Sequence, residues 1–215
     1  MDSTTLWLVR HGETQWNVEH RIQGHGDSPL TDFGREQARA LARELSAVPF
    51  DSVWTSSSLR AIVTARLLVA EREAPVLQTD DRLREIGHGL WEGLTANEVA
   101  ARWPALYRAY RETPGRFPRA PGGESLAEVR ARTVECLSEL ARSGGGRSVL
   151  VVSHAVTLKA FLSWIEGRPL DEFWAPPYME PTSVSEVRSD GQRWEIVRYA
   201  DARHLDALRE ERRPR

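Results

Sequence analysis

What this sequence has little of narrows its reading first. It holds one cysteine, Cys136, so no disulfide can close within the chain; the thiol falls in an apolar helical pattern with Val129, Thr133, Val134, Leu137 and Leu140 and reads as a small buried hydrophobe. No apolar run approaches the roughly 20 residues of a membrane span. The opening Met1-Asp2-Ser3-Thr4-Thr5 lacks the basic region of a secretory signal, so a soluble cytoplasmic protein is expected. An excess of one charge is missing too. The 29 basic and 31 acidic side chains leave a formal charge of −2, with no net pull toward nucleic acid or a membrane, so neither is an expected partner. Any bound anion must meet a local basic site. There is no internal repeat or low-complexity segment, and oligomeric state leaves no mark in the pattern.

What is present is an alternation of short apolar runs and helical patterns over 215 residues, a length that fits one domain with an insertion. Leu6-Trp7-Leu8-Val9 has no helical period and passes at once into Arg10-His11-Gly12-Glu13-Thr14, a buried strand delivering a polar loop. Thr31 or Asp32 caps a helix carrying Ala38, Leu41, Ala42 and Leu45 on one face and ending before Pro49. Ser52-Val53-Trp54-Thr55 and Val76-Leu77-Gln78 read as strands around a helix from Leu59 to Val69. From about 85 to 125 the rhythm breaks into Gly, Pro, Trp and Arg with short helical pieces near 96–103 and 105–110, which predicts a cap insertion. A helix over 125–141, a flexible turn at Ser143-Gly144-Gly145-Gly146, the clear buried strand 148–152 and a helix over 156–165 follow. Segments 184–187 and 194–199 predict a closing hairpin; the charged tail 205–215 predicts a surface helix fraying at Pro214. The order implies a single α/β domain spanning 1–215, a three-layer α/β/α sandwich with a mainly parallel sheet and a small helical cap.

In such sheets ligands collect at the C-terminal strand ends, where loops and helix N-termini expose unpaired N–H groups. His11 follows the first strand and His154 follows the strand ending at Val152. Arg10 stands beside His11, and Arg60 lies where the second strand passes into its helix. Two permanently charged guanidinium forks beside two histidines describe a site for a dianionic phosphoryl group.

The ordered set Arg10-His11-Gly12-Glu13-Thr14 with Trp16-Asn17, Gln23-Gly24, Asp27-Ser28-Pro29-Leu30-Thr31, Gly34, Arg60-Ala61, Thr64-Ala65, Leu83-Arg84-Glu85, Gly89, Trp91-Glu92-Gly93, Gly122-Gly123-Glu124-Ser125 and Ser153-His154 resembles the histidine phosphatase superfamily, with its phosphoglycerate-mutase-like fold. The matches are collinear over most of the chain. Through Phe173-Trp174-Ala175-Pro176-Pro177-Tyr178-Met179 and Thr182-Ser183-Val184 it is most similar to the bacterial broad-specificity acid phosphatases. The resemblance implies that His11 takes the phosphoryl group while Arg10, Arg60 and His154 hold its oxygens. It further implies that Glu85 protonates the leaving alcohol, that Asn17, Gln23 and the backbone at Gly24 line the pocket, and that no metal or cofactor is used. The substrate is then a small phosphorylated molecule.

Taken on chemistry alone, Glu85, Glu92 and Glu124 compete as the acid, and only the resemblance favours Glu85; its neighbours Leu83, Ile86 and Trp91 predict an apolar setting. Glu13 is expected to brace the loop. Ser56 and Ser57 lack the setting of a nucleophilic serine. His20, His25 and His88 show no metal-ligand spacing and read as loop histidines facing solvent, with the pocket rim as the alternative for His25 and His88. His204 matches a position retained in the similar phosphatases, where it could fold toward the pocket mouth. The aromatic and basic stretch with Trp91, Trp103, Tyr107, Tyr110, Arg111, Arg116 and Phe117 reads as packing or a substrate pocket rather than a base-stacking groove, and Trp164 and Trp174 read as core. Three alternatives stay open: a cofactor-dependent phosphoglycerate mutase, an alpha-ribazole phosphatase of cobalamin synthesis, and a phosphoprotein-binding module without catalysis. Against the mutase, 83–93 carries no added basic cluster for a substrate carboxylate.

Overall fold

Side chains on the central strands are buried on both faces, and their alternation sorts them into two cores. The computed structural model describes residues 3–71, 73, 75–144 and 146–212. Leu6 and Leu8 of strand β1 (Thr4–Arg10) face one layer of helices, while Trp7 and Val9 face the other. The chain then runs through helices α1 (Gln15–Val18) and α2 (Asp32–Glu44), β2 (Ser52–Thr55), α3 (Leu59–Val69), β3 (Leu77–Thr79), α4 (Ala96–Arg102) and α5 (Pro104–Glu112). It continues with α6 (Leu126–Gly144), β4 (Ser148–Ser153), α7 (Ala155–Ile165), β5 (Val184–Ser189), β6 (Trp194–Asp201) and α8 (Asp206–Glu211).

The strands form one sheet in the order β3-β2-β4-β1-β5-β6. β1, β2, β3 and β4 pair in parallel, and β5 and β6 close the edge in antiparallel fashion. On one face Leu6, Leu8, Val149 and Val151 pack against Cys136, Leu137, Leu158 and Phe161 of α6 and α7. On the other, Val9, Val53, Leu150 and Val152 pack against Leu41, Leu45, Ala61, Ala65 and Leu68 of α2 and α3. The three-layer sandwich follows from this, because a strand apolar on both faces needs a helical layer on each. Between residues 85 and 125, Trp91, Val99, Tyr110, Phe117 and Ala120 gather a separate buried cluster together with Ile22. No helix among the described residues is long and apolar enough to cross a membrane.

Several local expectations are refined. Thr31 is the helix cap, its hydroxyl accepting from the Gly34 N–H at 2.9 Å. The loop after His11 contains a one-turn helix, α1, that the sequence pattern did not show; Thr14 and Asn17 cap it reciprocally. The hairpin turn is held by Asp190, whose carboxylate accepts from the N–H groups of Gln192 and Arg193. Trp164 is not core. It lies in the last turn of α7 over the edge strand, stacked on Phe161 and edge-on to Trp194, and with no strand beyond β6 among the described residues it stays 37% exposed. Trp174 is half-buried against Tyr110 and Phe173. The expected fraying at Pro214 and Gly145 of the expected turn lie outside the described residues.

Candidate active site

The parallel register places Arg10 opposite Ser153, so β1 and β4 end side by side and deliver His11 and His154 as neighbours. The His11 N–H prolongs the ladder onto the Ser153 carbonyl at 2.9 Å, and the two imidazoles meet edge to face with centroids 5.2 Å apart. Ser56 extends β2 in the same way on the far side of β4, and its hydroxyl lies 2.8 Å from His154 Nε2. Two residues later in the chain Ser58 caps α3, which begins at Leu59 and carries Arg60 in its first turn.

A pocket of about 140 Å³ opens over these strand ends, lined by Arg10, His11, Asn17, Gln23, Gly24, Arg60 and Glu85, with Arg21, Ile22 and His88 completing the wall. His154 is fully buried, its ring packed against that of His11. The eight residues singled out from sequence are thus brought together. Arg21 and Ile22 carry no signal in the sequence; His88 lines the pocket, the alternative to the solvent-facing reading.

His11 Nδ1 lies 2.7 Å from the Gly12 carbonyl oxygen. A carbonyl can only accept, so Nδ1 carries the proton and the Nε2 lone pair is left free. Burial, then the charges of Arg60 and Arg10, hold His11 well below its usual value of 6.5. The ring is neutral at ordinary pH. His154 is held down in the same way by burial, Arg60 and His11. Arg10 is itself pushed down by burial, to about 10, and still carries its charge at neutral pH.

The arginines are fixed by backbone. Arg60, fully buried, donates Nη1 to the Gly26 carbonyl at 2.8 Å and to Asp27 at 3.1 Å, and Nη2 to the Gly24 carbonyl at 2.9 Å. Arg10 Nη1 donates to the Met179 carbonyl at 2.5 Å. Both Nε atoms, with His154 Nδ1 and Gln23 Oε1, are buried without a protein partner among the described residues. Buried polar atoms are rarely left this way, and several around one pocket mark a site for a polar ligand. Gly24 adopts φ +54°, and a Cβ there would stand 2.3 Å from Glu92 Oε1. Only glycine brings this backbone so close.

Hydrogen-bond partners separate the three competing acids. Glu92 is a loop brace, accepting from the N–H groups of His25, His88 and Gly26. Glu124 binds Arg132 and the Gly87 N–H; against the upward push of burial, those bonds hold it below the usual carboxylate range. Glu85 alone of the three lines the pocket. Its setting is not the purely apolar one expected. The carboxylate sits on the first turn of α7, accepting from the N–H groups of Val156 at 3.3 Å and Thr157 at 3.2 Å; the Thr157 hydroxyl lies 3.2 Å away and gives its own proton to the Arg84 carbonyl at 2.7 Å. Arg132 fixes the segment beneath it through the carbonyls of Arg82, Arg84 and Glu85.

Other histidines depart from expectation. His88 does not face solvent: the turn 89–91 folds it inward, where it stacks on Trp91 and meets Tyr110 edge-on, 6% exposed. His25 is exposed, as expected of a loop histidine, with Nε2 3.0 Å from the Glu85 carbonyl. His204 lies under the site, not at its mouth. Its Nε2 is 3.0 Å from the Thr182 hydroxyl, and the Thr182 N–H reaches the carbonyls of Arg10 and His11. Glu13 accepts from the Thr31 hydroxyl at 2.7 Å, bracing the loop as expected.

These histidines give a stability prediction. His11, His154, His88 and His204 are all held below 6.5 in the folded protein, burial being the largest cause in each. In an unfolded chain they protonate near 6.5. Below that pH the unfolded state binds more protons, so stability is full above about pH 6.5 and is lost as pH falls toward the folded values, by up to about 1.4 kcal/mol per pH unit for each histidine. Urea midpoints measured from pH 7.5 to 5.0 should fall steadily below 6.5. A midpoint flat through this window, where carboxylates scarcely titrate, contradicts buried neutral histidines.

Comparison with known proteins shows the family. The profile of the Histidine phosphatase superfamily (branch 1) matches residues 6–202. Phosphoserine phosphatase 1 of Hydrogenobacter thermophilus is 38% identical over 170 residues, 79% of this chain and 80% of that protein. Phosphoglycerate mutase-like protein 4 of Arabidopsis thaliana is 32% identical over 208 residues, 96% of this chain and 89% of the relative. The solved structure of Bacillus stearothermophilus YhfR superposes with a TM-score of 0.90 at 40% identity, covering 94% of this chain and 100% of that one.

Proposed function

Since the chain belongs to the histidine phosphatase superfamily, branch 1, we propose that it hydrolyses small-molecule phosphomonoesters through a covalent phosphohistidine at His11, without a metal ion. The observation that carries this is the Nδ1 bond of His11 to the Gly12 carbonyl, which leaves Nε2 as a neutral nucleophile in a pocket lined by Arg10 and Arg60.

In the first step Nε2 attacks phosphorus, the N–P bond forms, and the ester P–O bond breaks. Glu85 gives its proton to the departing alkoxide, so a neutral alcohol leaves. Arg10, Arg60 and His154 hold the equatorial oxygens, whose charge in the transition state is matched by groups already fixed in place. Asn17, Gln23 and the Gly24 backbone line the same space. In the second step Glu85 takes a proton from water, the oxygen attacks phosphorus, and the N–P bond breaks to return His11 and release inorganic phosphate. The segment 85–125 acts as the cap of this single domain of residues 1–215.

The mutase named among the relatives would differ in the acceptor, a substrate hydroxyl in place of water. Incubation with 3-phosphoglycerate and 2,3-bisphosphoglycerate in EDTA separates the two. Phosphate release should outrun isomerisation and be undiminished by the chelator. Isomerisation faster than release would transfer the assignment to a mutase, and inactivation by EDTA would refute the metal-independent route.

A further inference from the structure

The phosphoryl pocket, at about 140 Å³, has room for the reacting group and little else. Beside it lies a larger cavity of about 470 Å³, within the size range of pockets that enclose an organic ligand. We infer that this cavity receives the alcohol half of the substrate, and that the alcohol is flat, largely apolar and bears an acidic group. The inference rests on the reading of Glu85 as the group that protonates the leaving oxygen.

Three contacts join the two spaces. The Val156 N–H donates to Glu85 Oε2, and the same residue lines the cavity. The Met179 carbonyl accepts from Arg10 while Met179 forms cavity wall. An aromatic series runs between them: His88 lines the phosphoryl pocket, Tyr110 meets it at 5.4 Å, and Trp174 of the cavity meets Tyr110 at 4.9 Å. The residues that line the cavity are thus in direct contact with Glu85 and Arg10, which places the cavity next to the position of the leaving oxygen.

The lining gives the class. Phe173, Trp174, Tyr178 and Met179 present mostly apolar and aromatic surface, which suits a ring better than a short polar chain. Two cations lie there. Lys159 is spent on structure, donating to the carbonyls of Ala175 and Pro177 and so shaping the loop. Arg111 is different: its guanidinium lies over the Trp174 ring at 5.7 Å, it is exposed, and it has no carboxylate partner among the described residues. A guanidinium that meets an aromatic ring and no carboxylate has N–H groups left to offer an anionic substituent.

Binding of non-hydrolysable phosphonates by calorimetry tests this without turnover. Methylphosphonate fills only the phosphoryl pocket, benzylphosphonate adds a ring, and 4-carboxybenzylphosphonate adds the acid. The wild-type protein should bind them in rising order of affinity. Arg111→Gln should weaken 4-carboxybenzylphosphonate by about fivefold with little change for the other two. Tyr178→Ala should weaken both benzyl compounds by about twofold to tenfold relative to methylphosphonate. Arg111 is exposed and Tyr178 is 69% exposed, so neither change threatens the fold. Equal affinity for all three ligands, or variants that weaken all three alike, would overturn the assignment. A parallel phosphate-release assay on wild-type protein with phenyl phosphate reports separately on the phosphatase reading, so failure of the one is distinct from failure of the other.

Discussion

Replacing His11 by alanine should lower phosphomonoester hydrolysis by roughly four to six orders of magnitude, the scale seen when a group on the covalent pathway is removed from an enzyme. Arg10, Arg60 and His154 remain in the variant, so inorganic phosphate should still bind. Little of the fold depends on the imidazole, whose one side-chain hydrogen bond among the described residues goes to the adjacent Gly12 carbonyl. Urea unfolding should therefore shift modestly, and the loss should fall on turnover. Labelled substrate, quenched in alkali, should leave label on wild-type protein and none on the variant, because a phosphoramidate bond survives base and is cleaved by acid. Labelled protein in the alanine variant, or hydrolysis within about tenfold of wild type, would show that another residue is the nucleophile.

The second large effect is expected from Glu85→Gln, and it should depend on the leaving group. General acid catalysis contributes about a hundredfold to ten-thousandfold, and the help is needed most by an alkyl alcohol, which departs poorly as alkoxide. Hydrolysis of alkyl phosphates should fall by that factor. With 4-nitrophenyl phosphate the phenolate leaves unaided, so phosphorylation of His11 should persist while water attack, which also uses Glu85, becomes slow. A rapid burst of nitrophenolate followed by slow turnover is the expected signature. Glutamine retains an oxygen able to accept from Val156 and Thr157, so the first turn of α7 keeps a partner. An equal loss for both esters, without a burst, would reduce Glu85 to a structural role.

The fold was legible because its signals are local. The run Ser148–Ser153 is apolar at successive positions, which only a strand covered on both faces requires. Cys136 lay on an apolar helical face and is buried there. The site was partly legible for the same reason, since His11 and His154 each follow a recognisable strand. What failed involved side chains whose partners are distant in sequence. His88 looked like a loop residue, but its surroundings are Trp91 and Tyr110, the latter on another helix. Trp164 looked like core because an aromatic in an apolar helix usually is, and its exposure is set by the sheet ending at β6.

The sequence by itself determined the layers, the strand ends and the histidine that opens the motif, because hydrophobic period and turn chemistry act between residues a few positions apart. Which carboxylate faces the pocket was favoured in the sequence only by the family resemblance, and tertiary structure gives the physical reason. Glu85, Glu92 and Glu124 are alike as sequence, and they are told apart by the α7 N-terminus, by the N–H groups of 25–26 and 88, and by Arg132. It also decided the proton position on His11, because that depends on where one carbonyl points. The cavity beside the site is tertiary for the same reason, its walls coming from α5, α7 and the loop before β5, which meet only when the sheet is assembled.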